Sequence, residues 1–218
     1  MPSDICMLCD EPGGIIPNLC DACARELPSV REPCVACGAS APPNVNLCGG
    51  CSARHPPVDR TICAVAYASP VDYLIGRLKF SRDLRVVPVL AGLLRRAVAG
   101  ETGVDWLVPV PITPARLRER GFNQALEIAQ ALSKSRDAPI TRRVHRRHRA
   151  ETPQSSLTNS AARRANVAGA FEARGSIGGH VAIVDDVVTT GATVNALARC
   201  LKAAGAARVD VWAAARTP

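Results

Sequence analysis

The apolar positions of this chain fall into a series of short periodic segments after residue 60 and show almost no period before it. Thr61 to Tyr67 reads as a strand. Val71, Leu74, Ile75 and Leu78 recur at helical spacing and predict a helix over 71–80. Val87, Leu90, Leu94 and Val98 do the same for 84–98. Trp106 to Pro111 is a short apolar strand stopped by prolines. Ala125, Leu126, Ile128, Ala129 and Leu132 form the inner stripe of an amphipathic helix over 122–133. Val181 to Val184 is a compact apolar run that suits a buried parallel strand. A helix follows over 193–204 with Gly205 as its stop, then a strand over 208–214. Residues 141–170 are polar and Arg-rich, with no sustained apolar period. Strands alternating with helices predict an α/β fold, a parallel sheet with ligands at the strand C-terminal ends.

The front of the chain follows another rule. Eight of the ten cysteines form four CxxC pairs, Cys6/Cys9, Cys20/Cys23, Cys34/Cys37 and Cys48/Cys51, repeating every fourteen residues. CxxC is the spacing of a zinc knuckle, and two knuckles complete one four-thiolate site. Two structural zinc ions are therefore expected. Sequential pairing puts Cys6, Cys9, Cys20 and Cys23 on one ion and Cys34, Cys37, Cys48 and Cys51 on the other; an interleaved pairing is equally allowed by spacing. A disulfide framework would need an oxidising compartment. The start, Met1-Pro2-Ser3-Asp4, lacks a basic region followed by an apolar run, so no signal peptide is expected. A redox role would need a CxxC beside a βαβ pattern, and these pairs lie in Pro/Gly-broken segments. Cys63 and Cys200 sit alone in apolar segments and are expected in the core.

Length and composition then set limits. A chain of 218 residues accommodates one good-sized domain and one small one. The expected division is 1–55 for the cysteine module and 56–218 for the α/β domain, with Arg54 to Pro57 as a turn-rich link. The module has little with which to build a core and must lean on metal. No stretch approaches the ~18 apolar residues of a membrane span, so a cytoplasmic protein with no membrane partner is expected. The formal charge of +8 hints at anionic partners, but eight zinc-bound thiolates on two divalent ions would reduce it to about +4.

The most informative stretch runs from Val181 to Thr193. The apolar run meets two adjacent acids, Asp185 and Asp186, which are expected to end the strand, and then a loop of Thr189, Thr190, Gly191, Ala192 and Thr193. Such a loop offers N–H groups, hydroxyls and a helix N-terminus to a phosphate, and Gly191 lets backbone approach it closely. The acids suit vicinal hydroxyls or a magnesium ion carried by the ligand. Together they suit a phosphorylated sugar.

This stretch resembles the phosphoribosyl-pyrophosphate (PRPP) motif of type I phosphoribosyltransferases: four apolar residues, two acids, two variable residues and a Thr/Gly loop. Val108-Pro109-Val110-Pro111, followed by Arg116 to Ala125 with its Arg-Gly-Phe-Asn-Gln box, is similar to the signature of the ComF family. So is the set Gln154, Leu157, Arg163, Asn166, Val167, Gly169, Ala170 and Phe171. That family, named for a competence protein, joins an N-terminal double zinc ribbon to a type I phosphoribosyltransferase domain. With the knuckles in the same order, the likeness covers nearly the whole chain.

The resemblance implies a parallel sheet flanked by helices, binding PRPP with magnesium, and transfer to a nitrogen nucleophile that the sequence does not name. Asp185 and Asp186 would face the ribose hydroxyls. Val188, Thr189, Thr190, Gly191, Ala192 and Thr193 would hold the 5′-phosphate. Pro109, Val110 and Pro111 would lie near the pyrophosphate, with Arg116, Arg118 and Arg120 neutralising it. Gly121 and Asn123 would shape the turn into the next helix. Residues 141–166 would close over the site and exclude water. A different class of function, an accessory protein in DNA uptake with competence-type protein partners, rests on Arg142 to Arg149, a run of five arginines and two histidines around Val144 that could contact single-stranded DNA. Aromatic residues make up only 3% of the chain and none lies in that run, so stacking platforms are sparse.

Overall fold

The structure is a computed structural model and describes residues 5–136, 138–146 and 169–218. Among them, two short helices, α1 (Asp21–Glu26) and α2 (Gly49–Arg54), belong to the cysteine-rich front. The remainder runs β1 (Arg60–Ala66), α3 (Val71–Phe80), α4 (Val86–Ala97), β2 (Trp106–Pro109), α5 (Pro114–Arg120) and α6 (Gln124–Arg136). It continues with β3 (Val144–Arg146), β4 (Phe171–Ala173), β5 (Gly179–Val188), α7 (Ala192–Ala203) and β6 (Ala206–Arg216). Strands β2, β5, β6 and β1 form, in that order, one parallel sheet. The expected α/β class is therefore observed, and the helix over 71–80 has the predicted bounds.

The two faces of the sheet carry different layers. Ala182, Val184, Trp212 and Ala214 pack with Leu74, Leu90 and Ile128, which places α3, α4 and α6 on one side. Val181, Ile183, Val211 and Ala213 pack with Val194, Leu197 and Leu201 of α7 on the other. This is the period-two alternation of strands buried on both faces. Trp212 is fully buried in the first layer.

Three expectations about local structure need correction. Strand β5 does not stop at the acids but passes through them to Val188, because β6 extends to Arg216 and keeps its backbone paired: Asp185 lies opposite Ala213, and Val188 opposite Arg216. The Arg-rich stretch contains β3, which pairs antiparallel with β4 just beyond it, anchored by buried Val144 and Phe171, whose separation in sequence hides any period. Cys63 and Cys200 are half-buried rather than core residues, Cys63 because β1 is an edge strand. Burial still pushes the Cys63 thiol up to about 12.

The cysteine-rich front is built onto the domain. Cys6, Ile16, Leu19, Cys20 and Leu27 share the core of α3 and α4. Gly92 of α4 makes room for them, since a Cβ there would lie 2.7 Å from Ile16 Cγ2. Asn18 Nδ2 donates to Arg85 O at 3.0 Å. The second half has only a small core of Cys34, Ala36 and Cys51, and is held by hydrogen bonds to β1: Thr61 N to Val35 O at 2.7 Å and Thr61 Oγ1 to Ala36 O at 2.8 Å. The apolar core thus crosses residue 55, where α2 ends on a left-handed His55.

Because that core is shared, Ile16→Ala should destabilise the whole chain by about 2–5 kcal/mol in denaturant unfolding. The loss should appear in the main cooperative transition; a separate, earlier transition would mean that the front unfolds by itself.

Candidate ligand cleft and cysteine clusters

Two sets of four sulfurs are gathered at the front, Cys6/Cys9/Cys20/Cys23 and Cys34/Cys37/Cys48/Cys51, each with its donor atoms within 4.8 Å of one another. The grouping is sequential, not interleaved. Tetrahedral zinc with Zn–S near 2.3 Å requires sulfurs ~3.8 Å apart. Cys9 and Cys20 lie at 3.6 Å, Cys37 and Cys48 at 3.8 Å. The fourteen-residue repeat resolves into two alternating conformations. Cys6 and Cys34 begin tight turns closed by Asp10 N to Cys6 O and Gly38 N to Cys34 O, with Asp10 and Gly38 left-handed. Cys20 and Cys48 instead cap the N-termini of α1 and α2.

Backbone N–H groups point at the sulfurs, as Cys48 N does at Cys34 Sγ (3.3 Å). Burial would raise the Cys6 thiol, but N–H donors of Cys20, Leu8 and Cys9 bring it down to about 6. Burial is likewise outweighed at Cys34 by Cys48, Cys37 and Ala36, bringing it to about 7. Burial and the neighbouring sulfurs push Cys23 and Cys51 up, so that one thiol per cluster ionises readily and these two would need the metal's charge. Thiolate is the form that zinc takes. Both four-sulfur sets therefore fit closed, structural zinc sites with no position left for catalysis.

The second constellation lies at the C-terminal edge of the sheet, a cleft of about 430 Å³. Asp185 and Asp186 form its floor, at the end of β5. Lys79, at the end of α3, places Nζ 2.6 Å from Asp186 Oδ2. Arg116 and Arg120 reach the cleft from α5, where a spacing of four puts them on one face; Arg118 points to solvent. Thr113 sets the start of α5 by accepting from Arg116 N at 3.2 Å, and left-handed Gly121 ends it. Asn123 holds the next turn, donating to Val110 O at 3.1 Å and accepting from Ala125 N at 3.0 Å.

The remaining expected residues divide. Thr189 and Thr193 line the cleft. Gly191 is left-handed and caps α7, so that helix begins at Ala192, one residue earlier than expected. Thr190 is exposed, its Oγ1 accepting from Ala192 N at 3.4 Å, and the Val188 side chain is buried in the core. Val110, Pro111 and Ile112 line the cleft, whereas Pro109 is the last residue of β2 and turns inward. Gly169 to Phe171 are described, but the rest of the Gln154–Val167 box and residues 147–166 of the proposed closing loop lie outside the described residues.

Several cleft residues were not foreseen. Lys79 sits in the last turn of α3 beside the apolar stripe, and nothing local marks it. Tyr67 follows β1, and the strand-end rule could have found it. Gln124 is 2% exposed, and its Nε2 has no hydrogen-bond partner among the described residues. Arg146, expected in a basic surface run, lies in the cleft with its guanidinium 5.6 Å from the Phe171 ring centroid, whereas Arg142 and Arg143 remain exposed. Strand β3 therefore splits that run between the cleft and solvent.

The electrostatics follow from this placement. Burial, then the neighbouring Asp186 charge, hold the Asp185 carboxyl well above the usual range. Burial, then Arg116, pull the Arg146 guanidinium down. Four cationic side chains face two acids, so the cleft is built for an anion that also carries hydroxyls or a cation. Magnesium fits only with a polyphosphate supplying oxygens, because Asp186 is already paired with Lys79.

A phosphate-type loop after a central parallel strand, with paired acids beside it, is the arrangement of a phosphoribosyltransferase-like domain, and residues 117–218 match the family described as Phosphoribosyl transferase domain. The chain is 37% identical over 168 residues to the DNA utilization protein YhgH of Escherichia coli K12, covering 74% of each chain. It is 33% identical over 168 residues to Competence protein F of Haemophilus influenzae, covering 72% of this chain and 73% of that one. The chain belongs to the ComF family. Among solved structures, an allosteric regulatory enzyme of purine biosynthesis is similar at 18% identity and TM-score 0.44, over 64% of this chain and 30% of that chain.

Elemental analysis should find two zinc ions per chain, and one in Cys48→Ser; fewer than about 1.5 in the parent would contradict two sites. The raised Asp185 group gives a pH test. Its contribution to stability is fully present below the ordinary carboxylate range and is lost as pH rises through the raised value. Asp185→Asn should therefore raise Tm more at pH 8 than at pH 4. An equal shift at both would mean that Asp185 is not strained by its setting.

Proposed function

We propose that the cleft binds PRPP together with magnesium and that the protein transfers phosphoribose to a nitrogen nucleophile with release of pyrophosphate. The observation that carries this reading is the meeting, in one cleft, of the acid pair, the start of α7 and four cationic side chains. Asp185 and Asp186 would accept from the ribose hydroxyls. The Val188–Thr193 segment would hold the 5′-phosphate, with the N-terminus of the twelve-residue α7 behind it. Arg116 and Arg120 would face the pyrophosphate, near Pro109, Val110 and Pro111. In the reaction the anomeric carbon–oxygen bond to pyrophosphate breaks, a carbon–nitrogen bond forms, and the nitrogen loses its proton to solvent. Negative charge grows on the leaving group, where fixed guanidinium groups stabilise it most. Magnesium, when bound, adds charge neutralisation of the diphosphate. Residues 1–55 would form the zinc-bearing module and 56–218 the PRPP-binding domain of a cytoplasmic protein.

A second reading draws on the relatives' names, which speak of competence and DNA utilization. Here the protein is an accessory factor in DNA uptake that meets single-stranded DNA, and competence-type partners, through the exposed Arg142 and Arg143. The placement of Arg146 inside the cleft favours the first reading, since it removes one cation from that surface.

Calorimetric titration of PRPP with magnesium separates the two. Binding to the parent protein, weakened more than about 100-fold in Asp185→Asn/Asp186→Asn, is the expected outcome, a loss of about 2.7 kcal/mol. No PRPP binding, with salt-steep binding of single-stranded DNA that Arg142→Ala/Arg143→Ala abolishes, would establish the second reading instead.

A further inference from the structure

Arg216 is the last residue of β6 and is 8% exposed, yet the cleft does not use it. Two of its three nitrogens, Nε and Nη1, donate to backbone and hydroxyl oxygens. Nε donates to Cys37 O at 2.9 Å, between residues 179 positions apart. Nη1 donates to Val188 O at 3.2 Å and to Thr217 O at 2.6 Å and Thr217 Oγ1 at 2.8 Å. Thr217 N also donates to Val188 O, at 3.1 Å. Val188 immediately precedes the Thr189–Thr193 loop, and Cys37 belongs to the second sulfur cluster.

One planar fork therefore joins that cluster to the root of the loop, without touching the cleft. The Cys37 side of the link is held by hydrogen bonds, Thr61 N to Val35 O and Thr61 Oγ1 to Ala36 O among them, with only a small apolar core beneath it. Its local core consists of Cys34, Ala36 and Cys51, with a few half-buried neighbours. Gly38, next in sequence, is left-handed and fits so closely that a Cβ would lie 2.9 Å from Thr61 Cγ2 and 3.0 Å from Cys63 Sγ. The Cys37 carbonyl stays in place only while the turn around it is held, and four thiolates on one metal ion are what holds such a turn. A guanidinium left without that acceptor inside the protein would be costly and would shift toward other oxygens.

We propose that Arg216 is a positioning residue that makes the conformation of the Thr189–Thr193 loop, and with it the affinity for a phosphate ester, depend on metal in the second cysteine cluster. The ligand part of this rests on the PRPP reading above; the structural link does not.

The test reads hydrogen exchange of the Val188–Thr193 amides in Arg216→Lys and Cys48→Ser, with α4 as an internal reference, and then titrates inorganic phosphate and PRPP. Arg216→Lys keeps a charge but loses the fork. It should retain two zinc ions and speed exchange in the loop about tenfold, leaving α4 unchanged. Cys48→Ser should lose one zinc ion and produce the same local acceleration. Both should weaken phosphate or PRPP binding about tenfold. Loop exchange that stays at the parent rate in both variants, or rises equally in α4, overturns the proposal. If the parent binds neither ligand, the PRPP reading fails, and the exchange data alone still decide the link. If Arg216→Lys does not fold, the comparison of parent with Cys48→Ser decides it.

Discussion

Two adjacent carboxylates on a central strand set the terms for the rest of this molecule. Strand β5 runs through Asp185 and Asp186 to Val188, so neither acid can escape into a loop. Charge buried in this way needs partners, or it stays protonated. Asp186 has Lys79, brought by the apolar stripe of α3. Among the described residues Asp185 makes no ion pair of its own, and burial and Asp186 hold its carboxyl up against the opposing charge of Lys79. The arginines of α5 and β3 line the same cleft, where they can meet an anion. A ligand carrying hydroxyls or a divalent cation would complete the compensation that the fold leaves open.

The front of the chain solves a different problem with different means. It cannot build a core alone, and the two sulfur clusters are attached in two ways. The first shares the apolar core of α3 and α4 through Ile16 and Leu19. The second rests on hydrogen bonds donated to its backbone carbonyls by Thr61 N, Thr61 Oγ1 and Arg216 Nε. Apolar attachment is insensitive to small displacements, whereas hydrogen bonds weaken steeply with angle and distance. Metal loss should therefore matter more for the geometry around the second cluster, which is the one connected to the sheet's ligand edge.

Much of this was legible in the sequence because the relevant rules are local. Helix α3 follows from Val71, Leu74, Ile75 and Leu78 alone, and the acid–loop–helix order placed Asp185, Thr189 and Thr193 at a strand end. Two knuckles per zinc ion fixed the number of clusters, while their pairing needed three-dimensional distances. What could not be read depends on contacts between distant segments. The extension of β5 through two acids is imposed by β6, whose alanines supply the paired backbone. Lys79 and Arg146 come from elements with no signal for a site, and β3–β4 joins residues more than twenty positions apart. In the proline segment the lining residues Val110, Pro111 and Ile112 follow β2, whose last residue is Pro109.

The excess of basic residues takes on a narrower meaning once each is located. Net charge suggested anionic partners in general, and an arginine run suggested a nucleic-acid surface. In the fold, Arg216 serves carbonyl oxygens, Arg77 and Arg85 serve Asp83, and Arg208 serves Asp210. Arg116, Arg120, Arg146 and Lys79 converge on the cleft. Long-range attraction falls off within about 10 Å at moderate salt, so scattered surface charge adds little specificity. Four cations around a half-enclosed site create a local field that dispersed charge does not. The proposed anionic ligand is therefore argued from that convergence at the sheet edge, and only secondarily from the basic character of the whole chain.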